Sequence, residues 1–279
     1  MKSLLTAAGL AVVIVSVSPS LWAQWQLPPG AGVPKTPDGK PNLTAPAPRT
    51  ADGKPDLSGV WANPWATAGR GGRGAGAPAP VPAGGIPEAT FGNVGAGFKD
   101  GLPLQPWAAE LVKQRMADNS KDNPDAHCLP MGFMQFHEHP QFRKILQAPG
   151  VIVIIYEANF GLRQIFMDGR SVPKDPEPWW YGYSLGKWDG DTLVVQTVGF
   201  TDDIWLDING NPLTSAGKVT ERFRRPNYGT LEIEITVDDP KAYTRPWTVK
   251  IPWELVPDTD LFDYVCENEK DFQHLVGGK

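Results

Sequence analysis

The chain has 279 residues, a net charge of −5 and no basic run, which excludes the charge pattern of a nucleic-acid binder. Its length suits one β-rich domain with an arm, or two small domains. Cys128 and Cys266 are the only cysteines, and a disulfide between them is the default reading for an exported chain.

Lys2, the apolar run from Leu4 to Val17 and the Leu21-Trp22-Ala23 cleavage pattern read as a signal peptide over residues 1–23. The expected mature protein is periplasmic or secreted, with no stable membrane span after cleavage. From Gln24 to Gly101 the composition is dominated by Pro, Gly and Ala, which predicts an extended arm with a disordered insert near 70–85. Within it Thr36 to Leu43 (TPDGKPNL) is echoed by Thr50 to Leu57 (TADGKPDL), a duplicated Asp-Gly turn followed by an extended Lys-Pro step. Gly59-Val60-Trp61 then marks a first strand. That tripeptide resembles the lipocalin pattern, in which the indole plugs one end of a barrel.

Pro106 in a first turn, with Trp107, Leu111, Val112 and Met116 at helical spacing, predicts one short helix over 104–119, packed as a lid or plug. After Cys128 come strands at 143–147, 151–157, 162–168, 180–188, 191–198, 218–225, 231–237, 247–255 and 261–266, separated by Gly, Pro, Asn and Asp turns. The fold class is therefore mainly β, an antiparallel meander closing into a calycin-like barrel over residues 102–279, because closure removes exposed edges. In an oxidising compartment Cys128 and Cys266 are expected to pair. Closing so long a loop is worth roughly 4 kcal/mol in the chain-entropy account.

Two hairpins carry the site predictions. Asp189-Gly190 reads as a type I′ turn with Trp188 opposite Asp191, which sets Trp180, Gly182, Ser184, Gly186 and Trp188 on one face. Trp180, Trp188, Tyr183 and Trp205 are the candidate ligand-binding aromatics, for stacking on a sugar or an apolar ligand. In the second hairpin, Arg224 opposite Glu232 and Arg222 opposite Glu234 make an outer ion-pair ladder, with Phe223 facing Ile233 and Val219 facing Val237. This register turns Glu221 inward, opposite Ile235. Arg163, on an apolar strand face with Ile165 and Met167, is its expected partner, and the pair is either a catalytic or ligand-orienting couple or a buried structural one.

His137-Glu138-His139 places two imidazoles on one side if the segment is extended. With His127 as a third ligand they would suit zinc, copper or iron; otherwise no cofactor is expected. Asp207 to Asn211 (DINGN) reads as an ordinary Asn-Gly turn rather than a calcium loop, since Lys218 stands where the terminal Glu is needed. No nucleophile elbow, phosphate loop or dinucleotide fingerprint occurs.

Asp52 to Trp61 (DGKPDLSGVW), Met167 to Arg170, Trp188 to Val195 (WDGDTLVV), Thr220 to Arg225, Val237 to Val249 and Tyr264 to Asn268 together resemble a family of exported bacterial β-rich proteins of unknown function. The resemblance covers most of the mature chain and implies an exported β-rich domain, without an activity. The leading functional expectation is a barrel that binds a small hydrophobic, aromatic or sugar ligand in its cavity. The alternatives are a metal-dependent or acid/base hydrolase, lyase or isomerase working in that cavity, and a structural envelope protein without a ligand.

Overall fold

The computed structural model describes residues 32–66 and 85–266. The expected signal peptide, and the expected insert apart from Gly85, lie outside them. Eleven strands are present. They are β1 (Gly59–Ala62), β2 (Arg143–Ala148), β3 (Val151–Tyr156), β4 (Leu162–Phe166), β5 (Tyr183–Asp189), β6 (Thr192–Val198), β7 (Ile204–Trp205), β8 (Pro212–Leu213), β9 (Lys218–Asn227), β10 (Thr230–Asp238) and β11 (Trp247–Leu255). Nine of them form a closed barrel in the order β1-β11-β10-β9-β6-β5-β4-β3-β2, and β7 and β8 make a separate small hairpin. The barrel closes where β1 pairs with both β2 and β11.

Closure is not purely antiparallel. β4 and β5 pair in parallel, Ile165 opposite Ser184, because the Met167–Gly182 connection carries the chain back to the starting end before β5 begins. A parallel pair needs such a crossover, whereas an antiparallel neighbour is reached by a tight turn. The expected strand at 261–266 is absent, and that segment is irregular.

The β9–β10 register is the one the charge ladder predicts, including Glu221 opposite Ile235. Its inward positions Val219, Phe223, Leu231, Ile233, Ile235 and Val237 are fully buried. The first hairpin keeps its faces but shifts its turn. Asp189 pairs with Thr192 and Trp188 with Leu193, so Gly190 and Asp191 are the central residues. Gly190 takes φ +60 and Asp191 follows at negative φ, the pattern of a type II′ turn with glycine first. The register moves by two residues, which preserves side-chain parity, so Ser184 and Gly186 still face inward.

Gly182 ends the run before β5 with φ +61, and a Cβ there would lie 2.6 Å from the Thr197 methyl and 2.7 Å from the Phe200 ring. Gly182→Ala is therefore expected to cost about 2–3 kcal/mol, from left-handed backbone strain plus overpacking, read as a lowered urea midpoint with an unchanged slope.

The helix α1 (Pro106–Ala117) starts at the expected proline, but it is not a lid on the sheet. Trp107 and Met116 are about half exposed, and only Ala108 is buried. The barrel is stoppered instead by α2 (Phe133–Glu138), a six-residue helix whose residues are all buried. Trp61 is fully buried beneath the Arg225 guanidinium, which lies 4.9 Å from its ring and donates to the Asp56 and Tyr228 carbonyls. The two repeat copies fold alike: Thr36 and Thr50 each bond the following Asp and the Lys carbonyl. Both hold the barrel: the first through the Leu43 carbonyl, which accepts from the Gly229 N–H, and the second through Arg49 on Asp191 and Lys54 on the Gly190 carbonyl. Cys128 and Cys266 form the disulfide, linking the loop before α2 to the segment after β11. Among the described residues no helix is long and apolar enough to cross a membrane.

Candidate functional site

The alternation of β3, β4, β6 and β9 aims Tyr156, Arg163, Thr197 and Glu221 into the barrel, and α2 brings His137 down onto them. Arg163 donates from Nη1 to Glu221 Oε1 at 3.0 Å and from Nη2 to Oε2, while Ser184 Oγ accepts from Nε and Nη2 and Thr197 Oγ1 from Nη2. The His137 ring bridges Glu221 Oε1 (2.9 Å, through Nε2) and the Tyr156 hydroxyl (3.2 Å, at Nδ1). A neutral imidazole satisfies both contacts by donating from Nε2 to the carboxylate and accepting at Nδ1 from the tyrosine. Burial pushes His137 down to about 4 despite Glu221 beside it. Burial also raises Glu221, but Arg163 and His137 outweigh it and bring the carboxylate down to about 2.

This network is complete in its hydrogen bonds and sealed from solvent. Glu221, His137 and Arg163 are 0–1 % exposed. Phe133 stacks under the Arg163 guanidinium at 3.8 Å, and Trp253 meets the His137 ring edge-to-face at 4.7 Å. The expected Arg163–Glu221 pairing is thus present, but no reactant reaches it while α2 is seated. Arg143 completes the seat. It is fully buried, stacks over Trp253, and donates to Asn63 Oδ1 and to the carbonyls of His137, His139 and Gln141, so it caps the C-terminal end of α2.

The opposite side of α2 is poorly satisfied. Of the seven buried side-chain atoms without a hydrogen-bond partner among the described residues, five belong to Gln135, Glu138, His139 and Arg143. Each such atom costs about 1–3 kcal/mol. Glu138 is the extreme case: both oxygens are unpaired, and burial, reinforced by Asp207, raises its pKa well above the ordinary carboxylate value.

The three histidines do not converge. Helical geometry aims His137 into the barrel, whereas His139, in extended conformation at the C-cap, bonds Gln141, and His127 bonds the Lys121 carbonyl. An extended segment would have put His137 and His139 on one side, and α2 removes that condition. Among the described residues no group of three or more His, Cys, Asp or Glu is placed to hold a metal ion. Asp207 accepts from the backbone N–H groups of Val94 and Asn211 and from Asn211 Nδ2, which accounts for the Asp207–Asn211 turn without an ion.

An accessible concavity lies outside the barrel. A cleft of about 600 Å³ opens between α1, the loop that follows it and the β7–β8 hairpin. α1 contributes Leu111, Gln114 and Arg115 from one helical face, and Asp118 joins them at its C-cap. Asp122, Pro124, His127 and Leu129 form a second wall, and Trp180, Asp203 and Trp205 the third. Arg115 lies 4.2 Å over the Trp205 ring and donates to the Gly210 carbonyl at 2.6 Å, fixing the floor. Of the aromatics proposed from sequence, Trp180 and Trp205 line this cleft. Trp188 packs on the barrel core, and Tyr183 faces outward between Phe166 and Trp179. The sequence reading missed Arg115, Asp118, Asp122 and Asp203. The signal it held was the polar Gln114, Arg115 and Asp118, which fall at helical spacing at the end of α1.

Compared with known proteins, the chain matches no family model, no curated protein and no solved structure.

Proposed function

We propose that this chain is an exported binding protein that uses the barrel as a rigid scaffold and takes a small molecule in the cleft between α1 and the Trp180–Trp205 wall. The carrying observation is the cleft itself, whose volume suits a small ligand and which sets two indoles beside carboxylates, an amide and a guanidinium. Such a surface suits a ligand with a flat apolar face and a polar edge, the class to which sugars and substituted aromatics belong. The Cys128–Cys266 bridge, which ties down the loop carrying His127 and Leu129, supports export, because disulfides persist in oxidising compartments. The acid/base alternative built on Glu221 and Arg163 is disfavoured because neither group has surface for a substrate to touch.

Melting shifts and tryptophan-fluorescence titrations across sugars, aromatics and fatty acids test this reading. A saturable ligand is expected whose affinity falls roughly tenfold, or about 1.4 kcal/mol, in Trp180→Ala, with the urea midpoint little changed. A panel in which nothing binds, or a ligand that Trp180→Ala binds as well as wild type, overturns it.

A further inference from the structure

We infer that the cleft selects an organic cation, a primary or quaternary ammonium carried on a small apolar or aromatic body. This rests on the cleft being the ligand site and adds the chemical class that the site takes. Each of its three walls brings a carboxylate: Asp118 from α1, Asp122 from the following loop and Asp203 from beside Trp205. All three are exposed. Among the described residues that line the cleft the one guanidinium is Arg115, and it is turned to the floor, with Nη1 on the Gly210 carbonyl and its plane over Trp205. Lys121 approaches Asp118 at 3.7 Å as an exposed i,i+3 pair, which holds little of that charge. The cleft therefore keeps an excess of negative charge within reach of an indole, Trp180, that is only partly covered.

The floor already holds one such contact. Arg115 is a cation over an indole ring; burial lowers its pKa, and Asp122 acts against that to hold the charge. A ligand ammonium placed over Trp180 and ringed by the three aspartates would repeat that contact, with the ring quadrupole and the carboxylates acting in the same direction. A carboxylate ligand would meet repulsion from all three walls, and an uncharged one would leave the carboxylates uncompensated.

Calorimetric titration of the full chain with three matched probes tests this: tryptamine, its neutral analogue tryptophol, and the anion indole-3-acetate. Tryptamine is expected to bind at least tenfold more tightly than tryptophol, and to weaken as salt is raised; indole-3-acetate is expected not to bind. Asp118→Asn and Asp203→Asn, both at exposed positions, are expected to bring tryptamine towards parity with tryptophol while leaving the melting temperature unchanged. If tryptophol binds as well as tryptamine, or indole-3-acetate binds more tightly, the cationic class is overturned and the cleft stands as a site for another ligand. If none of the three binds and the wider panel is also silent, both readings fall.

Discussion

Glu221→Gln is expected to destabilise the fold by about 3–5 kcal/mol, the loss that follows when one partner of a buried pair is removed and the other charge stays behind. The stranded group is Arg163, which is 1 % exposed and is left with neutral acceptors, the Ser184 and Thr197 hydroxyls and the new amide oxygen, and no counter-charge. The new amide also presents N–H protons to His137 Nε2, which itself donates in the native tautomer, so α2 loses an anchor as well. Chemical denaturation of wild type, Glu221→Gln, Arg163→Met and the double variant Glu221→Gln/Arg163→Met separates these effects. The double variant is expected to be more stable than Glu221→Gln alone, because it removes the uncompensated charge. A loss below 1 kcal/mol for Glu221→Gln would mean that water reaches the pair, and would reopen the barrel interior as a reaction site.

The second large effect is a stability maximum between about pH 4.5 and 6.5. His137 has a folded pKa near 4 against 6.5 unfolded, so its contribution is complete above pH 6.5 and declines as pH falls from 6.5 to 4. Glu221, near 2 when folded against 4.5 unfolded, contributes fully above pH 4.5 and loses its contribution as pH falls towards 2. Glu138 has the opposite sign. Its folded pKa is raised by burial, so its contribution is complete below 4.5 and is lost as pH rises above that value, with buried Asp207 acting the same way. Between 4.5 and 6.5 His137 and Glu138 oppose each other. Below that window the acid limb belongs chiefly to Glu221, with a slope of up to about 1.4 kcal/mol per pH unit, and on the alkaline side raised Glu138 acts to lower stability. Urea midpoints measured across this range are expected to trace a dome, and Glu138→Gln to flatten its alkaline side. A midpoint that keeps rising above pH 6.5 in wild type would show that Glu138 is ionised and partnered.

These two effects have one origin. At the level of Glu221 the barrel side chains Arg163 and Tyr156 meet α2, which packs Phe133, Phe136 and His137 onto them. Its inward side is fully paired, and the same six residues leave Gln135 and Glu138 oxygens unpaired on the other side. The plug and the acid network are therefore one cooperative unit, and loss of either is expected to loosen the other before the β9–β10–β11 sheet responds.

Much of the sheet could be read from the chain because it follows from a period of two. The Arg222/Arg224 and Glu232/Glu234 ladder admits one register, and that register alone sends Glu221 inward; the same parity sends Arg163 inward beside Ile165. Barrel closure and the Cys128–Cys266 bridge likewise followed from the run of strands and the cysteine count. Three features were decided only by tertiary structure. The parallel β4–β5 pairing depends on where the 167–182 connection returns, which no local pattern encodes. A helix of six residues is too short to stand by its own propensity, so α2 exists only because the barrel interior receives it, and with it went the side-by-side placement of His137 and His139. The cleft joins Arg115, Asp122, Trp180 and Asp203 from separate stretches, so the sequence could name two of its indoles but not the carboxylates that surround them.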